Sequence, residues 1–232
     1  MAFNPKIVRF VCFDADDTLW KNEEFYRETE DKFYALFNGK LTAKQAGEAL
    51  FKTEMGNLET FGYGAKSFTL SMIETALANL DNKAAARAAR EILQLGKALI
   101  NRPITLLPGT EETLRALHGK YHLSVVTKGD LLDQQRKLKN SGLLPLFDHI
   151  EILTEKTHQA YLDLFACLHA QPNEVLMVGN SLRSDIFPAL EAGAQAAYMP
   201  CAFTWQHEAR TEPENPPYLQ INTLTDLLPV LL

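Results

Sequence analysis

Five short apolar runs, separated by segments with helical spacing, constrain the fold of this chain more than any other feature of its sequence. The runs span residues 6–13, 121–127, 149–154, 174–180 and 194–200. Between the later runs, apolar residues recur at three- and four-residue intervals, as they do on one face of an amphipathic helix. Strand followed by helix, repeated along a chain, predicts crossover units and a parallel sheet. We therefore predict an α/β fold.

One long segment, residues 20–104, interrupts this alternation. It contains four stretches with helical spacing and no convincing strand. A segment of roughly 85 residues is far too long to be a loop inside a compact domain. We predict a core formed by residues 1–19 and 105–232, with an all-helical domain inserted over residues 20–104.

Composition and charge exclude several classes of protein. The chain has 46% apolar residues, 22% charged residues and a net charge of -6, which is typical of a soluble globular protein. A mildly acidic chain lacks the basic surface that binds nucleic acid or anionic membranes. No apolar stretch approaches the ~20 residues of a membrane helix. The first residues lack a signal-peptide pattern, and the three cysteines lack metal-ligand or disulfide spacing. We expect a cytoplasmic protein, either monomer or homodimer, without nucleic-acid or membrane partners.

Polar residues follow each of the first four apolar runs. In chain order they are Asp14, Asp16, Asp17 and Thr18; Thr127, Lys128 and Gly129; Lys156; and Asn180 and Asp185. Parallel α/β sheets place their ligand sites at the carboxyl ends of the strands. The sequence therefore predicts that these side chains meet at one edge of the sheet.

The acids after the first run need a partner, because neighbouring carboxylates disfavour each other's ionisation. A lone acidic pair would be interpreted as a solvated turn, since Asp tolerates turn geometry. A cation or a substrate phosphate at the same edge makes a functional cluster the better interpretation. We expect Asp17 to shape the turn and Thr18 to fix the local backbone.

Four of these segments, in this order, resemble the motifs of the haloacid dehalogenase-like (HAD) superfamily of hydrolases. They are "DADDT" at 14–18, "VVTKGD" at 125–130, Lys156 in "TEKT", and "VGNSLRSD" at 178–185. A single such motif is weak, but four in order, each after an apolar strand, are specific. The resemblance covers essentially the whole chain. It implies a Rossmann-like core and a helical C1-type cap over residues 20–104.

The resemblance also implies roles for the residues. Asp14 would be a nucleophile that forms an aspartyl-phosphate, and Asp16 would protonate the leaving group and then activate water. Lys156 would neutralise the nucleophile and the phosphate. Mg²⁺ would be held by Asp14, the Asp16 carbonyl group and Asp185. Phosphate would be bound by Thr127 together with the amide groups of Lys128 and Gly129.

Asp16 indicates which type of reaction within this superfamily the chain would catalyse. An ester leaving group needs a proton and a halide does not, so an acid at this position favours a phosphatase over a dehalogenase. We expect crowding by Asp14 and Asp185 to raise the pKa of Asp16. The hypothesis is a Mg²⁺-dependent phosphatase of a small phosphorylated metabolite.

Two alternatives stay open from the sequence. A sugar-phosphate mutase of the same superfamily would need both Asp14 and Asp16. Asn180 stands where many members of the superfamily have an acid. Its amide could bind Mg²⁺ directly or hold a metal-bound water. Alternatively, Asn180 could indicate a member that binds phosphorylated ligands without catalysis. A two-component receiver also uses acids, a Thr and a Lys, but here no acceptor Asp ends the second strand and the helical insert would be unusual.

Substrate selection would lie in the inserted helices. Gly62 and Gly64 flank Tyr63 and predict a bend between two helices. Tyr63 and Lys66 are the candidate specificity residues, against the alternative of a packed aromatic ring and a solvated lysine.

Overall fold

A six-stranded parallel sheet forms the larger part of the computed structural model, which describes residues 3–37 and 39–232. The strands are β1 (Phe10–Phe13), β2 (His122–Lys128), β3 (His149–Leu153), β4 (Val175–Gly179), β5 (Gln195–Tyr198) and β6 (Leu219–Gln220). Their order is β3-β2-β1-β4-β5-β6, and each neighbouring pair is parallel. This architecture confirms the predicted α/β class with a Rossmann-like core.

The helices that accompany this sheet are α5 (Thr110–Leu117), α6 (Leu131–Asn140), α7 (His158–Cys167), α8 (Phe187–Glu191) and α9 (Leu228–Leu231). Each of the first four precedes or follows a strand, so the crossovers run through helices, as parallel strands require. All four residues of β1 are buried, because the strand lies at the centre of the sheet.

The register of the sheet brings the strand ends together. Phe13, the last residue of β1, pairs with Val125 of β2 on one side and Val178 of β4 on the other. The residue that follows, Asp14, donates its backbone N–H to the carbonyl group of Val178 at 2.9 Å. Residues just beyond the carboxyl ends of β1, β2 and β4 therefore share one edge, as the sequence predicts.

Two details of the sheet differ from the sequence prediction. The first apolar run begins as a 3-10 turn over Pro5–Ile7, where Pro5 removes a backbone donor, and pairs as a strand only from Phe10. The sixth strand, β6, was not predicted, because two residues are too few for an alternating pattern. The three cysteines are free: Cys12 is buried, Cys201 is half-buried and Cys167 is exposed.

Four helices form the second compact unit: α1 (Glu23–Ala35), α2 (Ala43–Phe61), α3 (Ala65–Asn79) and α4 (Asn82–Ile100). This unit comprises Glu24–Pro103 together with Gly129–Asp133, and the remaining described residues form the sheet unit. Its core contains Phe33, Leu50 and Met72, all almost fully buried.

The ends of α2 and α3 show why the sequence breaks between them. Gly62 ends α2 with a φ of 68°, and Gly64 precedes α3 with a φ of 103°. Both values lie in a region that glycine adopts at low cost. The predicted bend at residues 62–64 is confirmed. Within the described residues, no helix combines the length and apolar character needed to cross a membrane.

Candidate active site

A buried lysine between two buried acids forms the centre of the site. Lys156 Nζ lies 2.6 Å from Asp14 Oδ1 and 2.6 Å from Asp185 Oδ1. The three residues come from the ends of three different strands and are at most 7% exposed. Two carboxylates that share a single ammonium group leave a net negative charge in a buried position. We call Asp14, Lys156 and Asp185 the Asp14 cluster.

The local backbone after β4 places Asp185 in this cluster. Residues Leu182–Ile186 form a π-helical turn, and the Ser181 backbone N–H donates to Asp185 Oδ2 at 2.9 Å. A Cβ on Gly179 would lie 2.3 Å from Asp185 Oδ2, so only glycine admits the carboxylate here. The hydroxyl of Tyr161 donates to the Ser184 carbonyl group at 3.1 Å and stabilises the turn.

The charges of the Asp14 cluster shift its pKa values in a consistent way. Burial raises the pKa of Asp14 to about 7; Lys156 opposes this shift, and Asp185 adds to it. Burial alone would lower the pKa of Lys156, but the two acids raise it instead. Lys156 is therefore an ammonium group throughout the neutral range.

A second set of polar atoms lies around Asp14 Oδ2. Thr18 Oγ1 donates to Asp14 Oδ2 at 3.1 Å, and Asn180 lies next to both. With its nitrogen turned inward, the Asn180 amide would donate to Asp14 Oδ2 and to the Asp16 carbonyl oxygen, each at 3.2 Å. With its oxygen inward, Asn180 Oδ1 faces Asp14 Oδ2 and the Asp16 carbonyl oxygen, and none of these three atoms is a donor. This environment suits a donor or a cation, and the amide can adapt to either.

Asp16 lies in a very different environment from Asp14. Its carboxylate accepts hydrogen bonds from Trp20 Nε1 at 2.7 Å, from Gln134 Nε2 at 2.9 Å and from Lys137 Nζ at 2.9 and 3.0 Å. We call these four residues the Asp16 cluster. Burial alone would raise the pKa of Asp16, but Lys137, Gln134 and Trp20 outweigh it and lower the pKa. The predicted upward shift is therefore wrong, because the donors around Asp16 outnumber its acidic neighbours.

Asp17 shapes the turn, as the sequence predicts. It has a φ of 60°, and its carboxylate accepts the backbone N–H groups of Asn22 and Glu23 at 2.9 Å each. These contacts fix the start of α1. They leave Asp17 outside both the Asp14 and the Asp16 clusters.

The end of β2 carries the predicted phosphate-binding residues. Thr127 is 3% exposed, and its hydroxyl accepts a hydrogen bond from Gln134 Nε2 at 3.2 Å. Gln134 Nε2 also donates to the Lys128 carbonyl group at 2.9 Å. Gly129 follows with a φ of 135°, which only glycine adopts readily. Gln134 thereby connects Asp16 to the end of β2.

The side chain of Lys128 belongs to a third charged cluster at the same edge, formed with Ser181, Ser184 and Glu208. Its Nζ lies 2.5 Å from Glu208 Oε1 and 2.9 Å from Ser184 Oγ. The hydroxyl groups of Ser181 and Ser184 donate to Glu208 Oε2 at 2.5 and 2.7 Å. Burial would raise the pKa of Glu208, but Lys128 and the two hydroxyls lower it to about 2. The Lys128 side chain is thus engaged by protein groups, which leaves its backbone amide for the predicted role.

The two candidate specificity residues lie in the helical unit. Lys66 Nζ contacts both carboxylate oxygens of Asp130 at 2.9 Å, and Asp130 also accepts the backbone N–H of Asp133 at 3.0 Å. Tyr63 is partly buried in the bend between α2 and α3. Their predicted contact with substrate stays a prediction.

Sequence reasoning missed Trp20, Gln134, Lys137 and Glu208 as site residues. A signal for two of them exists in α6, where Gln134 and Lys137 are three residues apart and Leu138 follows on the buried side. Polar residues that share a helix face with a core leucine indicate a buried polar function. Glu208 lies in a polar, proline-rich segment with no periodic pattern, so nothing local marks it.

The match to a protein family agrees with this geometry. A family model described as haloacid dehalogenase-like hydrolase matches residues 8–193. The chain therefore belongs to the haloacid dehalogenase-like hydrolases, as its motifs predict.

Two curated relatives are named as a phosphatase and a nucleotidase. The chain is 26% identical over 200 residues to an N-acylneuraminate-9-phosphatase of Homo sapiens, covering 82% of this chain and 81% of that protein. It is 30% identical over 115 residues to a pyrimidine 5'-nucleotidase of Escherichia coli (strain K12), covering 46% of this chain and 51% of that protein. The chain thus spans about half the length of the second relative.

Solved structures share the fold over nearly the full chain. A haloacid dehalogenase-like hydrolase from Xanthomonas campestris is 35% identical with a TM-score of 0.86, covering 97% of this chain and 92% of that one. An L-2-haloacid dehalogenase from Xanthobacter autotrophicus is 18% identical with a TM-score of 0.64, covering 97% of this chain and 98% of that one. Because a shared fold does not fix the reaction, the site residues have to decide the chemistry.

Proposed function

We propose that this protein is a Mg²⁺-dependent phosphatase that hydrolyses a small phosphomonoester through an aspartyl-phosphate on Asp14. The observation that carries the proposal is the Asp14 cluster, in which a buried carboxylate lies 2.6 Å from Lys156 at the edge where β1, β2 and β4 end. Two of the curated relatives are named as phosphatases or nucleotidases, which supports the same class of reaction.

The contacts of Asp14 suit a nucleophile. Its Oδ1 is held by Lys156 and its Oδ2 by the Thr18 hydroxyl, so the carboxylate has one fixed orientation. Lys156 would also neutralise charge on the transferring phosphoryl group, which is the main requirement of phosphoryl transfer. In the first step an oxygen of Asp14 would attack phosphorus and the bond to the leaving oxygen would break.

The donor set at this edge fits Mg²⁺. Oxygen atoms of Asp14, Asp16 and Asn180 face one another, and Asp185 adds a second carboxylate to a cluster with net negative charge. In the described part of the chain, no three His, Cys, Asp or Glu side chains form a group that could hold a metal ion. The proposed ligands instead combine the carboxylates of Asp14 and Asp185 with the Asp16 carbonyl group and the Asn180 amide. Mg²⁺ prefers such oxygen ligands, usually with only one or two carboxylates. When bound, it would neutralise phosphate charge.

Asp16 would move the protons of the reaction. Because its pKa is lowered in the free protein, the carboxylate would first take up a proton from water when the negative charge of a bound phosphate favours it. It would then give that proton to the leaving oxygen, which departs as an alcohol. The resulting carboxylate would then accept a proton from the water that attacks phosphorus and releases Asp14 and inorganic phosphate. This role distinguishes a phosphatase from the dehalogenases that share the fold.

Phosphate release with and without Mg²⁺ tests the proposal. The substrates are p-nitrophenyl phosphate, a pyrimidine nucleoside 5'-monophosphate, an N-acylneuraminate 9-phosphate, phosphoglycolate and a panel of sugar phosphates. We expect Mg²⁺-dependent release, and a loss on the order of 10³-fold or more in Asp14→Asn, because the variant lacks the nucleophilic oxygen pair. Asp163→Asn, an exposed acid on α7, is the matched control and should keep full activity.

Three outcomes would contradict the proposal. No release from any substrate, with Mg²⁺ binding intact, would indicate a protein that binds phosphorylated ligands without turning them over. Isomerised sugar phosphate without net release would indicate a mutase. Full activity in Asp14→Asn would exclude the aspartyl-phosphate route.

A further inference from the structure

The carboxylate of Asp16 is almost saturated with donors. A carboxylate offers about four acceptor positions, and Trp20, Gln134 and Lys137 supply four contacts of 2.7–3.0 Å. Two of these contacts come from a single ammonium group. The position of the Asp16 carboxylate is therefore fixed by side chains that lie outside the four superfamily motifs.

Lys137 differs from the other two donors because it contacts both oxygens of Asp16. Its Nζ lies 2.9 Å from Oδ1 and 3.0 Å from Oδ2. Trp20 contacts Oδ1 alone, and Gln134 contacts Oδ2 alone. Two contacts from one ammonium group fix the plane of the carboxyl group, which a donor to a single oxygen cannot do.

The surroundings of Lys137 hold it in this place. Its side chain is 15% exposed, and Nζ makes a further hydrogen bond of 2.8 Å to Asn22 Oδ1. Lys137 and Gln134 are three residues apart on α6 and therefore share one face of the helix. Leu138 anchors that helix in the core of the sheet unit.

We propose that Lys137 is a positioning residue for proton transfer by Asp16. Its contact with both oxygens fixes the position and plane of the Asp16 carboxyl group, so the same group can face the leaving oxygen and then the attacking water. The inference rests on the proposed function, since it assigns a step within that reaction. It predicts that the contribution of Lys137 depends on how strongly the leaving group needs a proton.

Two aryl phosphates of similar shape separate this role from a structural one. p-Nitrophenolate leaves readily without a proton, whereas phenolate needs one. We expect Lys137→Met to lower kcat/KM for phenyl phosphate about tenfold or more beyond its effect on p-nitrophenyl phosphate. Asp16→Asn should show the same preference and gives the reference value. Lys137→Arg should restore much of the ratio, because a guanidinium can also contact both carboxylate oxygens.

The control is Lys139→Met, an exposed lysine two residues along α6, which should leave both rates unchanged. Equal losses on the two substrates, or no loss, would overturn the role assigned to Lys137. If Lys137→Met does not fold, the same ratio is measured on Lys137→Gln, which keeps a donor but can contact only one oxygen at a time; an unchanged ratio there would also overturn the role. A wild type inactive on both substrates would refute the proposed function itself, whereas an active wild type with an unaltered variant refutes only this inference.

Discussion

Two carboxylates on the same turn, Asp14 and Asp16, have opposite electrostatic environments. Both are drawn out of water, which by itself raises a carboxyl pKa. In the Asp14 cluster two acids share one lysine, and the pKa of Asp14 is raised to about 7. In the Asp16 cluster one acid has a lysine and two neutral donors, and its pKa is lowered. Burial raises the pKa at both positions, and the balance of donors against neighbouring acids sets the direction of the net shift.

This difference separates two chemical tasks. The Asp14 cluster carries an excess of negative charge, so it gains from a divalent cation. In the Asp16 cluster the carboxylate is already balanced by the ammonium of Lys137, so it needs no further cation. In the proposed reaction, nucleophilic attack and metal binding therefore belong to Asp14, and proton transfer belongs to Asp16, two positions along the chain.

The largest effect is expected for Lys156→Met. Removing the only ammonium of the Asp14 cluster leaves two buried acids unpaired, which should lower the free energy of unfolding by about 3–5 kcal/mol at neutral pH. Mg²⁺ should recover part of this loss, since it supplies the missing positive charge. Urea denaturation of metal-free and Mg²⁺-loaded protein measures both values.

Lys137→Met is the matched comparison for stability, because it removes the ammonium of the other cluster. Only one acid is left behind there, and Trp20 and Gln134 still donate to it. Mg²⁺ should not restore what this variant loses. Equal Mg²⁺ rescue of both variants would show that the two clusters are not distinct in charge.

The cluster around Glu208 extends the same rule to a third acid. Glu208 has one lysine and two hydroxyl donors, and its pKa is lowered to about 2. Because the pKa is lower in the folded state, the stabilisation is complete above the ordinary glutamate pKa of 4.5 and is lost as the pH falls towards 2. Glu208→Gln should therefore lower the free energy of unfolding by about 2 kcal/mol at pH 7, with a difference that shrinks in acid. Unfolding curves between those two pH values measure it.

Glu212→Gln is the control, since Glu212 is exposed in the same segment. This substitution should leave the free energy of unfolding unchanged at every pH. A loss in Glu208→Gln that does not change with pH would mean that shape, not charge, makes the residue stabilising.

The smallest effect is expected for Asn180→Asp, which adds a third acid beside the Asp14 cluster. Without metal the variant should be less stable by about 1 kcal/mol, because like charges repel. With Mg²⁺ the order should reverse, and the dissociation constant for Mg²⁺ should fall roughly tenfold. Titration calorimetry and thermal unfolding with and without a chelator give both numbers.

Asn173→Asp, an exposed change of the same chemistry, controls for the added charge. Unchanged Mg²⁺ affinity in Asn180→Asp would place the Asn180 amide outside the metal site. It would then act only as a hydrogen-bond donor to Asp14 and the Asp16 carbonyl group.

Several features of this protein were determined by the sequence alone. The strand–helix alternation, the helical segment after β1 and the polar residues at the ends of the strands follow from local patterns. Parallel strands align their carboxyl ends, so Asp14, Lys156 and Asp185 had to meet once the strands were correctly identified. The bend at residues 62–64 also follows locally, because two glycines there adopt positive φ values.

Only the tertiary structure decided the state of Asp16. Its acidic neighbours are visible in the sequence and favour a raised pKa, yet Gln134 and Lys137 approach from more than a hundred residues away and reverse the shift. Glu208 reaches Lys128 across 80 residues from a segment without any pattern. Local periodicity indicates which face of an element is buried, but a pKa depends on the charges and donors of every residue nearby in space. That sum is fixed only when the chain has folded.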